Sequence, residues 1–249
     1  MTIENPFKIP EDRLLFAKVL DKYTSAEKKR VSTYTDFLDP VRCAAFMQVL
    51  QRYGSGDIFV ASFGGYENAE RKIIIFGDSD ALITPLAITY NEKFSKPPTH
   101  RDYLGAVIGL GLDRGKVGDI RIAESGAVMY VLSEVAHFIA ENLTQAGRTR
   151  LNIKLGHELD GIEPTGKQKR ITVASMRLDA VLSSALNFSR GKAAMFIESE
   201  KVFVNWKPAK KTHTVEVGDA ITVRGIGRVT VDAQCGNSKR DRIVLEVTV

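Results

Sequence analysis

The chain has 249 residues, 44% hydrophobic and 26% charged, which fits ordinary globular domains, argues against chain-wide disorder, and at this length points to two or three compact units. The net charge of +5 is unevenly spread: from Arg170 onward there are thirteen Lys plus Arg against eight Asp plus Glu, so residues 1–169 balance at zero. An excess confined to one part of a chain suggests a polyanionic partner for that part, with a solvated basic surface as the plain alternative.

The first segment, residues 1–78, reads as mostly helical. Pro10 to Tyr23 places Leu14, Leu15, Val19, Leu20 and Tyr23 at helical spacing. Asp39 before Pro40 is a cap followed by a residue with φ preset for a helix, and Val41, Ala44, Ala45, Val49 and Leu50 follow before Gly54. Ile58 to Ser62 predicts a strand, Gly64-Gly65 a turn, and Ile73 to Phe76 a buried strand.

Residues 79–160 give a second order. Strands are expected at Leu86 to Tyr90, Gly118 to Ala123, Ala127 to Leu132 and Arg150 to Leu155, with a turn at Glu124 to Gly126. Helices are expected from Thr99 to Leu112, capped by Thr99, and after Ser133, read as the cap, with Val135, Ala136, Ile139, Ala140 and Leu143 on its apolar face. The order β-α-β-β-α-β is that of a ferredoxin-like domain, a topology shared by RNA-binding and unrelated proteins. No aromatic pair matches the stacking residues of an RNA-recognition motif. Residues 161–171, with Gly161, Pro164 and Gly166, read as a linker.

The last segment, residues 172–249, holds all of the basic excess but Arg170. Leu178, Val181, Leu182, Ala185 and Leu186 form one helical face. Ser189 caps a second helix bearing Ala193, Ala194, Met195 and Ile197. Arg190 and Lys192 lie in its first turn, where the helix dipole disfavours cations unless an anion docks there. Side chains extended into water are the alternative. Val202, Val204 and Trp206 alternate as in a strand, Gly218-Asp219 marks a turn, and Ile221 and Val223 begin another strand. Arg177, Arg190, Lys192, Lys207, Lys210, Lys211, Arg224 and Arg228 are expected to form one basic face around two helices and a small sheet.

Four blocks then match in order and spacing: R-L-D-A-V-L from Arg177, S-R-G-K-A from Ser189, V-F-V-N from Val202 and V-G-D-A-I from Val217. Together they resemble the S-four domain, an αL RNA-binding module. The resemblance implies RNA contacts from Arg177, Ser189, Arg190, Lys192 and Asn205, with Lys210 and Lys211 nearby, and structural roles for Leu178 and Asp179. Two residues depart from the pattern: Glu200 and Trp206 stand where such domains often have Gly. Trp206 either stacks on a base or packs inside against the linker or second segment.

V-N-W-K from Val204, T-D-F-L-D-P from Thr35, F-G-G-Y-E-N-A-E-R from Phe63 and H-R-D-Y-L-G-A from His100 extend the likeness over nearly the whole chain, which resembles the bacterial YlmH family. The resemblance implies an α+β protein: a helical N-terminal part, a central ferredoxin-like domain for RNA and a C-terminal S-four domain. It also implies binding of ribosomal RNA and tRNA on the large ribosomal subunit during rescue of stalled translation, and an older link to cell division.

Other readings are weaker. His100-Arg101-Asp102 mimics a kinase catalytic loop, but Val107 stands where Asn is required. Gly109, Gly111 and Gly115-Lys116 fail the phosphate-loop spacing. Cys43, Cys235 and the four scattered histidines make no metal-ligand pattern. No apolar run spans a bilayer, and no signal segment is recognisable. The expectation is a cytoplasmic, non-enzymatic RNA-binding protein with no cofactor, no metal, no membrane contact and no small-molecule substrate. The rivals are an RNA-modifying enzyme, either a pseudouridine synthase or a methyltransferase, that uses the S-four domain to hold substrate, and a cell-division adaptor.

Overall fold

The computed structural model describes residues 5–54, 56–79, 81–91, 93, 96–123, 125–157, 159, 168–224, 226–238 and 241–249. Glu124 of the expected turn and the core of the expected linker, residues 160–167, lie outside them. The chain forms two compact units, Met1–Thr165 and Gly166–Val249.

The first unit begins with α1 (Pro10–Lys29), which has Pro10 in its first turn, acids after it and Lys28 and Lys29 in its last turn, as the helix dipole favours. It outruns the predicted Tyr23 because Ala26 continues its buried face. After β1 (Thr33–Tyr34) comes α2 (Pro40–Tyr53), capped by Asp39, which accepts the Arg42 N–H at 3.0 Å. The strands β2 (Val60–Phe63) and β3 (Ile73–Phe76) complete a three-stranded antiparallel sheet in the order β1-β3-β2. The unbroken Ile73 to Phe76 run follows from burial on both faces. Ile74 and Phe76 join Phe16, Phe46 and Val19 under the helices, while Ile73 and Ile75 pack with Phe37 and Leu132 on the other side.

The ferredoxin-like part comprises β4 (Ile83–Thr89), α3 (His100–Gly109), β5 (Val117–Ala123), β6 (Gly126–Leu132), α4 (Ser133–Asn142), a small hairpin β7 (Gln145–Ala146) and β8 (Thr149–Arg150), and β9 (Asn152–Leu155). Its sheet is antiparallel in the order β5-β6-β4-β9, with the split βαβ connectivity. Leu86, Ile88, Met129 and Val131 face Tyr103, Val107, Ala136 and Ile139 of the two helices. Thr99 caps α3 in a reciprocal box with Asp102. Ser133 is not the cap of α4. It is the first helical residue, and its hydroxyl is taken by the Ala81 carbonyl at 2.5 Å and by Thr84 at 2.8 Å.

Every residue of β6 is buried, so the second sheet face is covered as well along this strand. Tyr66 lies on Tyr130 with ring centroids 4.8 Å apart, and Phe37, Ile73 and Leu132 form one cluster. Asp119 fastens this joint: it accepts from the Tyr66 hydroxyl at 2.9 Å and the Glu70 N–H at 2.7 Å. Arg71 donates to the Phe37 and Val117 carbonyls. Burial, and then neighbouring Arg71, push the Arg114 guanidinium down to about 10.

The second unit comprises β10 (Gln168–Val173), α5 (Leu178–Ala185), α6 (Arg190–Glu198), β11 (Val202–Val204), β12 (Lys207–Pro208), β13 (Ala220–Val223), β14 (Gly227–Asn237) and β15 (Ile243–Thr248). They make a six-stranded antiparallel sheet in the order β10-β15-β14-β13-β11-β12. Residues 168–171, read from sequence as the end of a linker, are strand, because β10 pairs with β15 from Gln168↔Thr248 to Val173↔Ile243. The two helices cover one sheet face, where Leu178, Val181, Leu182 and Ile197 meet Ile171, Val202, Ile221, Val229, Leu245 and Val247. Among the described residues no helix is long and apolar enough to cross a membrane, and no group of His, Cys, Asp and Glu could hold a metal.

Candidate nucleic-acid interface

The segment entering α5 is fixed by the backbone. Val215 N–H bonds to Met176 O and Leu178 N–H to His213 O, with Arg177 bridging Thr214. That fixes the position of Arg177 at the N-terminal edge of α5, where its Nε donates to Asp179 Oδ1 at 3.0 Å. Asp179 is buried, which alone would raise its pKa. The Arg177 hydrogen bond, the charge of Arg177 and that of Arg190 outweigh burial and hold it below the ordinary value. Asp179 therefore orients one cation and lies within the field of a second.

Ser189 caps α6, its Oγ accepting the Lys192 N–H at 3.2 Å. The first turn carries Arg190 and Lys192 and no acid, and Ser189, Arg190, Gly191 and Lys192 are all exposed. A Cβ at Gly191 would meet nothing within 4 Å, so the surface there is open. The Lys192 ammonium sits 4.2 Å from the centroid of the Phe188 ring, which itself stacks on Phe196. Free helix-end N–H groups, the helix dipole and two cations thus share one end, the arrangement that suits a phosphate.

The remaining predicted residues fall into three groups. Lys207, Lys210 and Lys211 are exposed on β12 and the loop after it, with Lys211 bonded to Glu198 at 2.7 Å. Asn205 is occupied internally: its Nδ2 donates to Asp219 at 2.7 Å and its Oδ1 accepts the Ala220 N–H at 3.0 Å. Arg224 and Arg228 lie on the sheet face opposite the helices. Strand alternation requires this, because Val223 and Val229 beside them point into the core. The single basic face expected from sequence is therefore two surfaces.

Trp206 does not pack inside. It is 37% exposed at the tip of the β11–β12 hairpin, with Arg228 above its ring at 5.9 Å. Arg224 lies 4.4 Å above Phe203. Sequence reasoning missed the aromatic supports Phe188 and Phe203. The alternation of Phe203 with buried Val202 and Val204 was the available signal.

One decoy resolves structurally. Asp102 serves the α3 cap, and its hydrogen bonds with Thr99 lower its pKa. Over β5 and β6, the sheet face that an RNA-recognition motif would present is covered by the first segment, whereas Asn152 and Lys154 of the edge strand β9 stay exposed on it.

Three family models match. "YlmH, N-terminal" covers residues 11–81, "Putative RNA-binding domain in YlmH" covers 78–158 and "S4 domain" covers 176–221. The chain is similar to "Ribosome-associated protein quality control protein P2" of Bacillus subtilis (strain 168), with 32% identity over 243 residues covering 93% of each protein. It also resembles the structure of "Cell division protein ylmH from Streptococcus pneumoniae", with a TM-score of 0.51 and 24% identity, covering 65% of this chain and all of that one. At that identity the likeness speaks for the fold alone.

Proposed function

Because the chain belongs to the YlmH family, we propose that it is a ribosome-associated factor that grips structured RNA, ribosomal RNA or tRNA on the large subunit, without chemically altering it. Its role is in ribosome-associated protein quality control, the setting named for the similar Bacillus protein, and rescue of stalled translation is the step that the family resemblance implies. The grip is the α5–α6 face: Arg177, Ser189, Arg190 and Lys192, with Lys210 and Lys211 on the loop after β12, where Lys211 pairs with Glu198 at the far end of α6. One observation carries this reading most directly. The α6 N-terminus combines open N–H groups and two exposed cations with no first-turn acid to neutralise them.

The matched models describe RNA-binding domains and no enzyme family, which supports a holding role over a modifying one. A binding titration tests the reading. With about five phosphates neutralised, log affinity should fall against log salt with a slope of roughly −3.5 to −4.5. Arg190→Glu should weaken binding at least tenfold and flatten the slope by about one or more. Unchanged affinity for ribosomal RNA and tRNA in that variant would remove the site. Co-sedimentation with free large subunits when translation is stalled would support the cellular role.

A further inference from the structure

The hairpin tip at Asn205 and Trp206 is unusual in its backbone. Val204 pairs with Lys207, so these two residues are the whole turn, and both have positive φ, 48° and 67°. Such a turn is the one for which Asn-Gly is preferred, because a side chain at the second position crowds the backbone. Trp stands in that second position. It lies outside the core cluster and leaves 37% of its surface to solvent. A large aromatic held in a strained, exposed place is an outlier that points to a function.

Its neighbours indicate what that function is. The register Phe203↔Thr222↔Arg228 runs across β11, β13 and β14 on the face away from the helices. Arg228 reaches Trp206 from β14, and Arg224 covers Phe203. Lys207 adds an exposed cation next to the turn. Asp219, the acid bonded to the turn, has both oxygens engaged, by Asn205 Nδ2 and the Glu216 N–H. The patch thus offers the exposed Trp206 ring, a half-buried Phe203 beneath Arg224, and three cations. Flat rings bordered by guanidinium groups take a base that has left its stack, with the phosphates on either side met by the cations. A fully paired helix offers no such base face.

We propose that the outer face of the C-terminal sheet, at Trp206 and Phe203 with Arg224 and Arg228, is a second RNA subsite that takes an unpaired base adjoining the structured RNA. The subsite rests on the RNA-binding reading of this module and narrows its substrate to RNA in which a paired element meets a single-stranded one.

Trp206 is the only tryptophan of the chain, so tryptophan emission of the full-length protein reports on this site alone. The probes are a flush RNA duplex and the same duplex with a short single-stranded overhang. The overhang RNA should quench the emission and bind tighter, and the flush duplex should bind without quenching. Trp206→Gly, which installs the favoured Asn-Gly turn, should melt no lower than the parent. It should bind the flush duplex unchanged and lose about tenfold or more for the overhang RNA. Trp206→Phe should keep part of the preference. If both RNAs bind equally with emission unmoved, or if Trp206→Gly keeps the overhang preference, the base subsite is wrong and the α5–α6 grip stands. If neither RNA binds, both readings fall. Quenching by ribosomal protein stripped of RNA, and not by RNA, would make the face a protein contact and overturn the proposal.

Discussion

Glu200 adopts φ 55° just before β11, a region that L side chains enter at a cost and glycine enters freely. Glu200→Gly should therefore raise stability by a few tenths to about 1 kcal/mol in chemical denaturation, after allowing for the freer unfolded chain. Asp179 gives a pH dependence of known sign. Its folded pKa is depressed, so its contribution is complete above about pH 4 and drains as the pH falls through the folded value. Asp179→Asn should cost about 1–2 kcal/mol at neutral pH and lose that part of the acid sensitivity, read from melting temperatures across pH 2–6. At this scale the sequence was legible where partners are close. Ser189 and its Lys192 N–H are three residues apart, and the cap was readable. Asn205 was not, because Asp219 and Ala220, which occupy its amide, are 14 and 15 residues away.

Helices announced themselves through caps and periodicity, and their observed spans follow Asp39, Thr99 and Ser189 closely. The C-terminal strands were harder to read. β14 shifts register between Val231 and Ala233 and again between Gln234 and Asn237. Each shift breaks the alternation from which a strand is recognised. β10 opens with Gln168, Lys169 and Arg170, so its polar start hid it at the end of an apparent linker. Its Ile171 is nonetheless 4% exposed in the core. Ile171→Ala should cost about 2–4 kcal/mol in denaturation of the C-terminal unit. At α6, Ser189→Ala should cost about 1 kcal/mol of stability, because one helix-end N–H loses its acceptor.

For the whole molecule, the family resemblance implied the α+β architecture, and hydrophobic patterning indicated the β-α-β-β-α-β order of elements in the central part. It could not show what lies on the second face of that sheet, because a continuous apolar strand such as β6 reads the same whatever covers it. The cover is the first segment, closed at Gly65. Its φ is 101°, and an added Cβ there would stand 2.5 Å from the Tyr130 ring. Gly65→Ala should lower the melting transition of the N-terminal unit by several degrees while leaving flush-duplex RNA affinity, assigned to the other unit, near the parent value.

The joint built around Asp119, Tyr66 and Tyr130 also separates inheritance from folding. Residues 78–158 are a recognisable stretch of sequence, yet cut out and expressed alone they would carry Tyr130, Val128 and Leu132 into water on a naked sheet face. Such a fragment should aggregate or go molten, while residues 5–157 kept together should stay monodisperse. Swapping the central stretch between relatives would succeed only when the segment that roofs it travels too.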